Sequence, residues 1–192
     1  MCGRFTIVVD IAEIFKQYGF DYYKTNQWQP QYNFSPSNSL PILKSGKIEE
    51  EKWGFSHKNN FVINIRSEGY FSKSRSFFNC LIPADGYYEW QNKVPYYFTK
   101  EDGAPMLFAG LYKTEGFAIL TKEAQKDVAH IHHRMPLIVP DRESAIMYLK
   151  TRSFTEQTIG LTFKEVNPIV NNSRTNSPLS IQEVKQKQLK LF

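Results

Sequence analysis

Between residues 40 and 121 the chain breaks into eight short runs rich in aromatic and β-branched residues, at 40–44, 48–55, 61–65, 80–83, 87–91, 95–99, 106–112 and 116–121. Gly, Asn, Asp and Lys turns separate them, Ser45-Gly46 and Asp102-Gly103 among them, so none can lengthen into a helix. Segments of this kind bury their apolar faces by pairing into sheets, and eight in succession require a β-rich core. Helical signals lie outside that block. Asp10 is placed to cap a helix in which Ile11, Ile14, Phe15 and Tyr18 recur at helical spacing, with Gly19 to end it. A strand at 4–9 precedes it. Residues 21–39 read as an irregular loop, 121–130 as a short helix, 137–139 as a strand, 140–149 as a helix opened by Pro140-Asp141, 161–166 as a strand and 167–180 as loop. A Lys- and Gln-rich tail from 182 onward is expected to fray. The class is α+β, with 15 Phe, 11 Tyr and 3 Trp to fill one core and 192 residues to build a single domain.

No apolar run approaches the roughly 20 residues that cross a bilayer, and the N-terminus has no signal-peptide profile, so a soluble cytoplasmic protein is expected. Cys2 and Cys80 are far apart and lack metal-ligand spacing, so no disulfide, metal or cofactor is expected. The net charge of +5 is compatible with a polyanionic partner.

Cys2 carries the most chemical information. Its side chain is small enough for Met1 to be removed, which leaves a 1,2-aminothiol with an amine of pKa near 7.7–8.0 and a thiol near 8.5. With an aldehyde the amine forms an imine, the thiolate attacks the imine carbon, and a five-membered thiazolidine closes rapidly because the two groups are tethered. A cysteine at random is a small apolar residue, but Gly3 beside it lets a ligand or another backbone approach. Glu89 lies between aromatic residues in a strand, where burial would raise its pKa into the range of proton transfer, unless it faces solvent. His132 and His133 are adjacent candidates for an acid or base, of which at most one points into a given pocket unless both are structural, and Arg134 is a candidate phosphate ligand or structural ion-pair partner. Asn64 and Arg66 are two apart in a strand and face the same way, which suits a sugar phosphate.

Met1-Cys2-Gly3-Arg4-Phe5, Tyr32-Asn33 before Ser35-Pro36, Trp53-Gly54, Ile63-Asn64-Ile65-Arg66 with Glu68, the run from Cys80 to Trp90, and His132-His133-Arg134-Met135-Pro136 occur in this order. Together they resemble the SOS-response-associated peptidase (SRAP) family over nearly the whole chain. The resemblance implies an α+β, β-rich single domain at 1–192, with a few short helices flanking a barrel-like sheet core and a frayed tail at 181–192. It implies a DNA-damage protein that senses abasic sites in single-stranded DNA and links to them covalently as a thiazolidine through Cys2, shielding the lesion. It carries over Cys2, Asn64, Glu89 and His132 as catalytic positions. Arg4, Asn33, Ser35, Pro36, Trp53, Arg66 and Arg134 are carried over to DNA binding. A monomer with autoproteolytic removal of Met1 and a lyase-like activity is also implied. Two departures stand out: the segment between Gly54 and Asn64 is short and lacks a second tryptophan, and Asn79 stands where many relatives carry arginine.

The same residues fit two other functions. An N-terminal-nucleophile amidohydrolase acting on glutamine also begins with a catalytic cysteine, and it would release ammonia. A non-catalytic single-stranded nucleic-acid-binding module would bind in a salt-sensitive way with Cys2 inert.

Overall fold

Each of the eight runs becomes at least part of a strand. In the computed structural model, residues 2–22, 28–70 and 76–184 are described. The chain opens with β1 (Arg4–Ile7), α1 (Ile11–Gln17), β2 (Gln31–Phe34), β3 (Ser39–Lys44) and β4 (Lys47–Lys52). It continues through β5 (Phe55–His57), β6 (Asn60–Val62), β7 (Asn64–Arg66) and α2 (Ser67–Tyr70). The long central strands are β8 (Phe78–Ala84), β9 (Gly86–Gln91), β10 (Val94–Lys100), β11 (Met106–Lys113) and β12 (Gly116–Glu123). Then come α3 (Lys126–Ala129), β13 (Arg134–Pro136), β14 (Ile138–Val139), α4 (Arg142–Thr151), β15 (Leu161–Glu165) and two 3-10 turns, Pro168–Asn171 and Pro178–Ile181.

Two sheets form. The first runs β15-β10-β9-β1-β2 and is antiparallel throughout, so the first strand of the chain lies in its interior with both edges paired. The second runs β13-β12-β11-β8-β3-β4, with β14 on β11 and β7 parallel to β12. The sheets face each other across an aromatic core. Phe5 of the first lies 5.0 Å from Trp53 and 5.8 Å from Phe108 of the second, and Tyr87 stacks on Phe98 and meets Phe108 edge-on. Trp53 is fully buried, stacks with Phe34 and Phe117, and donates its Nε1 proton to the Ile63 carbonyl at 2.9 Å. It is the hub joining the two sheets.

The α+β, β-rich class is therefore realised, but the strand pairings among the described residues close no barrel. Beyond β4 the chain returns to β12 through an isolated bridge between Trp53 and Phe117. Among the described residues no helix is long and apolar enough to cross a membrane.

Several local expectations need correction. The first strand ends at Ile7 because the Val8 and Val9 amides turn away to the Asp85 carboxylate. Residues 31–34, expected in a loop, form β2, which pairs the free edge of β1; residues 23–27 of that loop lie outside the described residues. The helix expected at 121–130 shrinks to α3 because Thr121 to Glu123 continue β12 against β13. The loop at 167–180 holds the two 3-10 turns, both with Pro in the first turn. The start of the tail is held, since Val184 donates to the Glu165 carbonyl at 3.1 Å and Glu183 bridges Val166. Residues 185–192 of the tail lie outside the described residues. Asp10 caps α1 as expected, accepting the Ala12 amide at 2.8 Å. Asn79 donates to the Tyr148 and Leu149 carbonyls and so pins the last turn of α4 to β8.

Because Trp53 touches both sheets, Trp53→Ala is expected to cost about 3–5 kcal/mol of stability, the range for a large aromatic deleted from a core. Denaturant unfolding followed by far-UV circular dichroism measures it.

Candidate active site at the buried N-terminal cysteine

Pairing on both sides of β1 fixes where the chain begins. Arg4 is level with Tyr88 and Phe5 with Tyr87, and one further step of that register brings Glu89 level with Gly3, beside Cys2. Cys2 is fully buried. Its carbonyl accepts a 2.8 Å hydrogen bond from Asn64 Nδ2 at the start of β7, which leaves Asn64 Oδ1 buried with no hydrogen-bond partner. Burial, reinforced by the charge of nearby Glu89, pushes the Cys2 thiol well above its ordinary pKa. The free site thus holds a thiol rather than a thiolate at neutral pH.

Glu89 points into the core from β9, on the same face as Tyr87, and is 3% exposed. Burial pushes its carboxyl up to about 7. A group poised there can take and return a proton near neutrality. His132 Nδ1 lies 3.9 Å from Glu89 Oε1, and burial lowers the histidine pKa, so the ring is predominantly neutral at pH 7. The same Nδ1 sits 3.0 Å from both the backbone N and O of Arg134, accepting from the N–H in one tautomer or donating to the carbonyl in the other, and either contact holds the ring plane. His133 stacks on it from the exposed side.

Cys2, Asn64, Glu89 and His132 are thus brought together from four separate segments. Of the residues expected to touch DNA, Arg66 is exposed at the end of β7, two residues beyond Asn64. Arg134 is adjacent but buried, and Glu68 grips it through Nη1 at 2.5 Å and Nη2 at 2.9 Å. Arg4 is half-buried and donates to Asn33 Oδ1 at 2.9 Å and the Val170 carbonyl at 3.0 Å.

The others occupy different ground. Trp53 is corrected from a DNA contact to a core residue, since a ring with no exposed surface cannot stack on a base. Asn33 is also corrected: buried, it spends its amide on the Val170, Asn172 and Thr175 carbonyls and so shapes the loop carrying the first 3-10 turn. Buried Ser35 accepts from Asn38 Nδ2, with Pro36 half-buried beside it. The short segment after Gly54 is a tight hairpin of β5 and β6, turned by Lys58 and Asn59 with φ of +47° and +64°. Gly54 itself is at φ +100°, and a Cβ there would meet the Phe61 ring at 2.3 Å.

Two carboxylates escaped the sequence-based assignment of roles. Glu68 stood only as part of a motif, and its partner is 66 residues away. Asp85 accepts from Val8 and Val9, and burial raises it to about 6. Asp85-Gly86 reads locally as a turn, and nothing nearby in sequence points to residue 8. Among the described residues no three His, Cys, Asp or Glu are grouped as a metal site requires.

The frame and site define a β-rich α+β protein built around a buried Cys2 with the Glu89–His132 pair beside it. A family model described as SOS response associated peptidase (SRAP) matches residues 1–185, and the chain belongs to that family. It is 28% identical to the abasic site processing protein YoaM of Bacillus subtilis, over 92% of this chain and 96% of that one. To the abasic site processing protein HMCES of Gallus gallus it is 24% identical, over 93% of this chain and 76% of the other. A crystal structure of a Bacteroides thetaiotaomicron protein has the same fold, with a TM-score of 0.74 and 20% identity, over 96% of this chain and all of that one.

A carboxyl whose folded pKa is raised makes ionisation oppose folding, so its contribution is full below the unfolded value near 4.5 and is lost as pH rises through about 7. Glu89→Gln is therefore expected to be more stable than wild type above pH 7, by up to about 3 kcal/mol, and equal to it below pH 4.5. Urea titrations at pH 4.5 and 8 make the comparison.

Proposed function

We propose that this protein captures abasic sites in single-stranded DNA by forming a thiazolidine between Cys2, freed of Met1, and the open-chain aldehyde of the baseless sugar. The observation that carries this is the convergence of Cys2 and Asn64 with the Glu89–His132 pair. An aminothiol, a buried acceptor, a carboxyl of pKa about 7 and a neutral imidazole are the groups that such a condensation uses.

The steps follow from these groups. His132 accepts the proton of the sugar's anomeric hydroxyl, the C1′–O4′ bond breaks as the aldehyde forms, and the proton passes on to O4′, which becomes a free hydroxyl. The Cys2 amine adds to that carbonyl and one amine proton passes to the oxygen; Glu89 in its acid form protonates the resulting hydroxyl, which leaves as water, and the second amine proton returns to the Glu89 carboxylate. The Cys2 sulfur then attacks the imine carbon and its proton passes to the nitrogen, so aldehyde and aminothiol give thiazolidine plus one water. Asn64 holds the Cys2 carbonyl, fixing the direction of the amine, and its unpaired Oδ1 is available to a donor on the sugar or the amine. Forming the ring removes the need for a thiolate beforehand, consistent with the raised thiol pKa. Arg66 supplies an exposed cation for a flanking phosphate. Removal of Met1, by an aminopeptidase or by the site itself, is the only peptidase step required. The relatives named abasic site processing proteins support the choice of substrate.

Incubation of Met1-free protein with single-stranded DNA carrying one abasic site is expected to give a band that survives a denaturing gel, absent with intact DNA and absent for Cys2→Ala. Glu89→Gln and His132→Ala are expected to slow its formation by about a hundredfold, with non-covalent binding retained. Crosslinking of Cys2→Ala at the wild-type rate, or equal crosslinking to undamaged DNA, excludes the mechanism. Ammonia release from glutamine would favour the amidohydrolase instead.

A further inference from the structure

Segment 64–68 touches the site twice. Asn64 at its start holds the Cys2 carbonyl, and four residues later Glu68 reaches across to Arg134. Glu68 Oε1 accepts from Arg134 Nη1 at 2.5 Å and from the Glu123 amide at 3.2 Å, while Oε2 accepts from Nη2 at 2.9 Å. Arg134 Nη2 also donates to the Thr121 carbonyl at 2.5 Å. Both terminal nitrogens of this guanidinium are therefore committed to protein acceptors. Its backbone N and O, in turn, are the two groups that clamp His132 Nδ1.

We propose that Glu68 is a positioning residue for the capture reaction: by gripping the Arg134 guanidinium it sets the Arg134 backbone, and through it the orientation of His132 toward Glu89. This rests on the function proposed above. Two alternatives make different demands. An ordinary surface ion pair contributes little because both charges stay solvated. Here the Glu68 side chain is half exposed but the Arg134 side chain is 9% exposed, so removing the carboxylate leaves a buried cation unpaired and free to drag its backbone toward another acceptor. Alternatively, Glu68 could stand in for a DNA phosphate on Arg134 and be displaced by it. That role makes Glu68 a competitor of DNA and gives it no influence on the imidazole. Both terminal nitrogens of the guanidinium are engaged, with only the buried Nε lacking a hydrogen-bond partner, and this together with the direct link from Arg134 to His132 favours positioning and leaves Arg66 as the phosphate ligand of this segment.

Glu68→Gln keeps the shape and removes the charge, and Glu68→Asp keeps the charge at shorter reach. For Glu68→Gln, the crosslinking rate at saturating abasic DNA is expected to fall about tenfold while non-covalent affinity changes less than twofold. Glu68→Asp should fall between Glu68→Gln and wild type. In the free protein, imidazole nitrogen NMR shifts are expected to report one fixed His132 tautomer in wild type and an averaged one in Glu68→Gln. That measurement uses no DNA, so it tests the positioning role even if the abasic-site chemistry fails. Unchanged His132 signals overturn the proposal. So does tighter DNA binding by Glu68→Gln with an unaltered rate, which would identify Glu68 as the phosphate competitor. Should Glu68→Gln not fold, Glu68→Asp reports the same two quantities, and wild-type values for both overturn the proposal equally.

Discussion

The structure depends on the capture of the first strand in the interior of a sheet. Pairing with β9 on one edge and β2 on the other leaves β1 no freedom to shift, and Asp85 stops it after Ile7. Everything chemical at the N-terminus inherits that rigidity. Cys2 is delivered to one place, one residue from the strand position level with the β9 carboxyl, and a single side-chain amide on β7 is enough to fix its carbonyl. A reactive terminus on a loose arm would have to find its partners at every encounter. Here they are built around it, and the entropy of orienting them is met by folding.

Electrostatics in this pocket follow from burial more than from charge pairing. The Cys2 thiol, the Glu89 carboxyl and the His132 imidazole are all shifted toward their neutral forms, with burial the largest cause in each. The Glu68 carboxylate nearby is strongly ionised, held down to about 2 by its hydrogen bonds to Arg134, and is half exposed to water. The site therefore separates a neutral proton-handling interior from a charged rim, and the rim's free cation, Arg66, faces solvent. That division suits a substrate with a neutral sugar carbon and anionic phosphates on either side.

Much of this was legible in the residues. The short aromatic runs predicted the strands because alternation and turn chemistry are local properties, and the Asp10 cap and the helix after it could be placed for the same reason. Cys2 and Glu89 could be singled out from what amines, thiols and buried carboxyls do. What sequence could not carry was long range. β2 became a strand only because β1 needed a second neighbour, Trp53 became core only because two sheets meet there, and the Glu68–Arg134 pair spans most of the second sheet's chain length. The motif that placed Arg134 among DNA contacts could not say that its charge was already spoken for.

Burying β1 between late-arriving neighbours also orders events during synthesis. Its central partner β9 is made about eighty residues after it, and at roughly 5–20 residues per second the nascent N-terminus stays unpaired for several seconds. An external aminopeptidase would have to reach the first residue in that interval. Once β9 docks, Cys2 lies buried in the fold, so trimming from outside belongs to the still-open chain and only a step carried out by the site itself could follow folding.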